Sequence, residues 1–306
     1  MGHQHAVTVR APAKVNLGLA VGGPRRDGYH ELATVFHAVS LYDDVTAIPA
    51  DEVTVTVEGP QADLVPLDGA NLAVQAAVLL ARKVGVDDGV RLHIRKGIPV
   101  AGGMAGGSAD AAAALLACDA LWGTGLSRDE LHQLAAELGS DVPFALTGGT
   151  AIGSGRGERL TPALARGEHH WVIALSEGGL STPAVFAEID RLRAGRVLPE
   201  PRVADRLMQA LRSGDPDALG AALSNDLQPA AVSLDPQLER TLEAGIEYGA
   251  LGALVSGSGP TVVFLVRDTE QAMDLSIALT ASGVVTDVRR AQGPVPGARV
   301  IAPGRS

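Results

Sequence analysis

The chain has 306 residues, 46% of them hydrophobic and 20% charged, which supplies apolar material for sizeable cores and excludes an intrinsically disordered chain. A net charge of -10 at pH 7 excludes broad binding to nucleic acid or to an anionic membrane face, because each needs a basic surface. The single cysteine, Cys118, can form no internal disulfide, and no stretch approaches the roughly 20 apolar residues of a membrane span, so a cytoplasmic protein with no membrane partner is expected. Whether it is a monomer or a homodimer is left open.

The first half opens with strands. "AVTVRAPA", "KVNLGLAVG", "ELATVFHAVSLYDDVTAI" and "EVTVTVEG" carry β-branched residues in partial alternation, interrupted by "GGPRRDGYH". Asn71 predicts the N-cap of a helix with the body "LAVQAAVLLARKVG", ended by Gly85. The alternating "VRLHIRKGIPV" predicts a strand leading into "PVAGGMAGGSADAAAALLACDALWG", a glycine-rich turn that feeds a helix from about Gly106 to Trp122. Ser127 and Glu130 have the spacing of a capping box at the start of the next helix.

The texture changes near residue 165. A strand, "HWVIAL", is followed by several helices rich in Ala, Leu and Arg. The end then reads as strand, turn, strand, helix, strand in "GALVSGSGPTVVFLV", "TEQAMDLSIALTASG" and "VVTDVRRA". That is an antiparallel α+β pattern. No low-complexity linker intervenes, so two lobes, 1–163 and 164–306, are expected to pack directly with a cleft between them.

A cluster of glycines before a helix needs a use, since each loses more backbone freedom on folding than any other residue. A glycine turn at a helix N-terminus presents unpaired N–H groups to a phosphate, and Ser108 adds a hydroxyl for a phosphate oxygen or a metal ion. A helix start wedged tightly against a sheet would also favour such residues. The common nucleotide loops are excluded. No Gly-Lys pair exists for a Walker A loop, the spacing is not that of a dinucleotide fingerprint, and the protein-kinase motifs are missing.

The pattern that remains, "PVAGGMAGGSA", resembles the second motif of the GHMP kinases, the family of galactokinase, homoserine kinase and mevalonate kinase. "APAKVNLGLAV" resembles the first motif of that family and "GALVSGSGPTVVFLV" its third, in the same order along the chain. Met104 and Ala105 replace the usual Leu-Gly, and Asp110 stands where Asn is frequent. The resemblance implies a two-lobed α+β fold. Its N-terminal lobe would be like domain 2 of ribosomal protein S5, and its C-terminal lobe ferredoxin-like. It also implies ATP, with Mg2+ as its complex. "AKVNLGLAVGGPRRDGYHELATVFHAVSLYD" and "GSDVPFALTGGTAIGSGRGERLTP" are similar to the branch whose acceptor alcohol is a cytidine diphosphate-linked methylerythritol.

The resemblance assigns roles residue by residue. Asp141 in "GSDVPF" would be the base, where the residues alone suggest a turn or N-cap. Lys14, a cation in an apolar strand, would activate the hydroxyl; the bland reading is an edge lysine facing water. Asn16, two residues on, shares its strand face and would bind substrate or Asp141. Tyr29 and Phe186 would stack on the base, His30 would hydrogen-bond its edge, and Thr182 and Pro183 would flank the pocket. The ATP phosphates would lie on Pro99, Val100, Ala101, Gly102, Gly103, Met104, Ala105, Gly106, Gly107, Ser108 and Ala109, with the adenine near Asn71 and Lys96. Asn71 also reads as a plain helix cap, and Lys96 as a solvated strand end. Ser256, Gly257 and Gly259 would shape the cleft. His3, His5, His169 and His170 read as surface residues, and no His/Cys/Asp cluster has the spacing of a structural metal site. Kinases of the homoserine or mevalonate type, and a non-catalytic nucleotide-binding module, are the alternatives.

Overall fold

The computed structural model describes residues 6–100, 102–176 and 178–301; Ala101, His3 and His5 lie outside the described residues. Two long antiparallel strands, β1 (Val7–Pro24) and β2 (His30–Ala50), form the spine of the first sheet. β3 (Thr54–Glu58), helix α1 (Leu72–Val84) and β4 (Gly89–Arg95) follow, and β4 pairs with both β2 and β3. Three helices come next, α2 (Gly106–Trp122), α3 (Arg128–Leu138) and α4 (Val142–Thr147). β5 (Thr150–Gly155) then pairs with β2, and β6 (Arg159–Pro162) with β5.

The second half begins with β7 (His169–Leu175), α5 (Thr182–Leu192), α6 (Asp205–Ser213) and α7 (Pro216–Ala222). The two-residue β8 (Ser224–Asn225) precedes α8 (Gln228–Leu234) and α9 (Gln237–Glu247). The chain ends with β9 (Gly252–Val255), β10 (Val262–Val266), α10 (Thr269–Ser282), β11 (Asp287–Gly293) and β12 (Arg299–Ile301). β11, β7, β10 and β9 make a second, antiparallel sheet in that order.

Three features differ from the local reading. β1 is one strand where the sequence suggests two, because Pro12 sits at a register shift and the ladder resumes at Ala13. Proline lacks an N–H and is tolerated at such irregularities. β8 and β12 both pair with β1, so two segments of the second half complete the first sheet. His169, expected at the surface, is buried in the seam between the sheets, with its ring 5.5 Å from that of His37, which lies 5.9 Å from Trp171.

Helix α2 positions the site. It is apolar on nearly every side and buried from Ala109 through Leu115 and again at Ala117, Cys118 and Leu121, as expected for a helix enclosed on all faces. β1 and β2 cover one side and α1, α3 and α4 the others. Its alanines allow close approach of these neighbours. Burial pushes the Cys118 thiol up to about 12, which leaves it an inert core residue.

Candidate active site

Strand alternation in β1 sends Ala13, Val15 and Leu17 into the core beneath α2 and turns Lys14 and Asn16 to the opposite face. The Lys14 ammonium donates to Asn16 Oδ1 at 2.7 Å and to the Gly103 carbonyl at 3.0 Å, and stands 3.7 Å from Asp141 Oδ2. Asn16 Nδ2 donates in turn to Thr34 Oγ1, whose hydroxyl donates to the Gly18 carbonyl. This chain fixes the Asn16 amide so that its oxygen faces Lys14. Burial lowers the Lys14 pKa from its ordinary 10.5, and the Asp141 charge opposes that shift.

Asp141 occupies the N-cap position of α4, yet its side chain caps nothing. Its carboxylate instead meets Lys14 in a cavity of about 470 Å³ that Asn16, Thr34, Gly102, Gly103 and residues 105–108 also line. The turn-or-cap reading of "GSDVPF" is thus right about position and wrong about the carboxylate, which is aimed at another strand.

The N-terminus of α2 opens into the same cavity through Gly106, Gly107 and Ser108. No side chain caps it, because the N-cap residue is Ala105. The first N–H groups of a helix have no intrahelical partners, so they and the helix dipole are available to an anion. Ala105 holds the left-handed conformation, φ 60°, that glycine adopts freely and alanine does not. Gly103 also has positive φ, and a Cβ there would lie 2.3 Å from the Ser256 carbonyl oxygen. The loop therefore packs directly on the Ser256–Gly259 turn, which lines the cavity through Gly257, Ser258 and Gly259.

Other residues of the expected ATP set face elsewhere. Met104 and Ala109 are fully buried, and the Ala109 amide donates to the Ala105 carbonyl within the helix. The Val100 amide donates to Gln61 Oε1, and Pro99 lines a separate cleft of about 400 Å³. Asn71 caps α1: its Oδ1 accepts from the Ala73 amide at 2.9 Å and its Nδ2 donates to the Pro66 carbonyl. Its neighbour Leu72 reaches the main cavity.

Lys96 is not a solvated strand end. Its ammonium is buried between Asp43 Oδ2 at 2.5 Å and Asp110 Oδ2 at 2.7 Å. Burial works against its charge, but the Asp110 and Asp43 carboxylates outweigh it and the Lys96 pKa rises. Asp43 Oδ1 accepts from the Gly97 and Ile98 amides, which ties the strand end to the approach of the glycine-rich loop. Asp110, where the resembling family often has Asn, is thereby explained as the second partner of Lys96. Burial and the Asp43 charge hold its carboxyl well above the usual range.

A second cavity, of about 510 Å³, adjoins the first and is lined by Tyr29, His30, Pro183 and Phe186. Tyr29 is about half exposed, whereas His30 is buried with its ring 4.8 Å from that of Phe186. His30 Nε2 lies 2.9 Å from Asp190 Oδ1. A carboxylate only accepts, so Nε2 carries a proton, and in a singly protonated ring Nδ1 would be left as an acceptor. Thr182, at the start of α5, shares a hydrogen bond with Ser258 and ties this pocket to the Ser256–Gly259 turn. The sequence reading passed over Thr34, Asp190 and Arg156. Only Arg156 had a local signal, a lone cation between two glycines in "GSGRGE".

Among the described residues no group of three or more His, Cys, Asp or Glu is placed to hold a metal, and no helix is long and apolar enough to cross a membrane.

A glycine loop at an uncapped helix N-terminus, facing a buried lysine paired with a more open aspartate in a cleft, is the arrangement of a small-molecule kinase. The comparisons place it more narrowly. Residues 71–149 match the model described as GHMP kinases N terminal domain, and residues 207–283 match GHMP kinases C terminal. The chain belongs to the GHMP kinase family. It is 61% identical over 296 residues to the 4-diphosphocytidyl-2-C-methyl-D-erythritol kinase of Streptomyces avermitilis, covering 97% of this chain and all of that one. A crystal structure of 4-(cytidine 5'-diphospho)-2C-methyl-D-erythritol kinase superposes with a TM-score of 0.75 at 34% identity, covering 93% of this chain and 98% of that one. A homoserine kinase from Cytophaga hutchinsonii superposes equally well, also at 0.75, at 20% identity and over 97% of each chain. The backbone is thus common to both kinds of kinase, and identity separates them.

Proposed function

We infer that this chain is an ATP-dependent kinase that phosphorylates the 2-hydroxyl of 4-diphosphocytidyl-2-C-methyl-D-erythritol, giving ADP and the 2-phosphate. The activity follows from the named relatives; the residue roles rest on one observation, that Lys14 and Asp141 stand 3.7 Å apart in the cavity that the α2 N-terminus enters. The acceptor hydroxyl lies against Lys14, whose buried charge stabilises the developing alkoxide, and its proton passes to Asp141. The oxygen attacks the γ-phosphorus of ATP, the bond to the β-γ bridging oxygen breaks, and ADP leaves. Such a transfer needs alignment and charge stabilisation more than covalent chemistry. Backbone N–H groups at Gly106–Ser108 hold the phosphates. The Ser108 hydroxyl and the Asp141 carboxylate, which line the same cavity, are hard oxygens that would hold Mg2+ carried in with ATP, and the ion would offset the phosphate charge there. Tyr29 and Phe186 stack on the cytosine, while Nδ1 of His30 accepts from its exocyclic amine.

A coupled ADP-release assay with the cytidylyl alcohol, homoserine and mevalonate tests the reading. Turnover is expected with the first alone. Turnover with homoserine or mevalonate instead would replace the proposed acceptor, and none with any would leave only nucleotide binding.

A further inference from the structure

The two cavities meet along a seam of five residues that line both: Leu32, Ser140, Arg156, Thr182 and Phe186. Arg156 is the only charged one. It stands in the turn between β5 and β6, flanked by Gly155 and Gly157, both with positive φ, and its own amide donates to Glu158 Oε2 at 2.7 Å. The backbone carrying it is thus held in place. Its guanidinium lies 4.9 Å over the Tyr29 ring, which orients the planar group.

Three basic side chains line these cavities, and two are matched. Lys14 faces Asp141, and His30 faces Asp190. Arg156 has no carboxylate within 4 Å among the described residues. A guanidinium presents a fork of N–H donors suited to phosphate oxygens, and a stacked one loses little further freedom on binding.

The inference rests on the functional reading above. In that substrate the base and the acceptor alcohol are joined through a diphosphate. With the base against Tyr29 and the alcohol at Lys14, the diphosphate has to cross the seam. We propose that Arg156 is the residue that binds the substrate's diphosphate. Tyr29 holds the guanidinium at the crossing, and the anion supplies the charge that no protein carboxylate does.

The test compares two probes, cytidine and cytidine diphosphate, on wild type, Arg156→Gln and Arg156→Lys by calorimetry. Wild type is expected to bind the diphosphate about 10- to 100-fold more tightly than the nucleoside, the worth of a charge-assisted pair. Arg156→Gln loses that preference while its affinity for cytidine stays within about threefold, and Arg156→Lys restores part of it. An Arg156→Gln variant that keeps the preference overturns the proposal. So does equal weakening of both probes, which would make Arg156 only a support for the Tyr29 ring. Failure of the wild type to phosphorylate the cytidylyl alcohol would instead count against the functional reading, so the two failures are distinct.

Discussion

The Lys14 amine sits 3.7 Å from Asp141 Oδ2 while hydrogen-bonding the Gly103 carbonyl of the glycine-rich loop, so one buried side chain joins β1, the start of α4 and the loop. The pair is asymmetric, with the Lys14 side chain 8% exposed and that of Asp141 27%. Burial lowers the pKa of this lysine and the Asp141 charge opposes the shift, while the more open carboxylate is free to meet a substrate hydroxyl.

Asp141→Asn removes both the proposed base and the carboxylate charge 3.7 Å from Lys14. The expected result is a fall in kcat of about 10²–10⁴, with ATP affinity retained because the α2 N-terminus is untouched. Single-turnover rates beside nucleotide titration check this, and near-normal kcat would remove Asp141 from the chemistry.

Tyr29 is half exposed and lines the outer cavity, away from the glycine-rich loop. Tyr29→Ala should raise KM for the cytidylyl substrate about 5- to 160-fold, the equivalent of roughly 1–3 kcal/mol of stacking, and leave KM for ATP nearly unchanged. Equal increases in both constants would show that Tyr29 supports the fold rather than the base.

Ala105 carries φ 60° at the N-cap of α2 without a side-chain cap. Ala105→Gly relieves that strain, which outweighs the extra chain entropy of glycine by on the order of 1 kcal/mol. Thermal unfolding should move up by about 2 °C. A lower midpoint would mean that the alanine methyl contributes packing worth more than its backbone conformation costs.

His37 is buried with its Nδ1 2.9 Å from Thr150 Oγ1, and burial first, then the neighbouring His169, lowers its pKa from 6.5 to about 3. Above pH 6.5 neither the folded nor the unfolded imidazole is charged, and the folded state keeps its full stability. Between pH 6.5 and about 3 the unfolded chain binds a proton that the folded one refuses. Stability therefore falls with acid, by up to about 1.4 kcal/mol per pH unit from this residue. Urea midpoints at intervals between pH 7.5 and 5 should show a shallower slope for His37→Asn than for wild type. Identical slopes would locate the acid sensitivity elsewhere.

Much of the site is legible in the chain because its chemistry is local. The glycine loop, the capping box at Ser127, the Asn71 cap with the Gly85 terminus and the shared face of Lys14 and Asn16 all depend on spacings of a few residues. Other assignments needed the fold. Lys96 is indistinguishable from a solvated strand end until Asp43 and Asp110 come round to enclose it. His169, at the start of β7, looks exposed until the first sheet packs His37 against it, and Asp190 has no local mark linking it to His30.

The sequence by itself determined the secondary elements around the loop, the glycine-rich turn at the start of α2 and the kinase family, because periodicity, capping and motif spacing act over short distances. Only the tertiary structure decided that Asp141 aims at Lys14 rather than capping its own helix, that β12 returns to β1, and which cations remain unmatched. Those outcomes depend on desolvation and pairing between segments distant in the chain, and burial is a property of the packed molecule, not of any residue's neighbours in sequence.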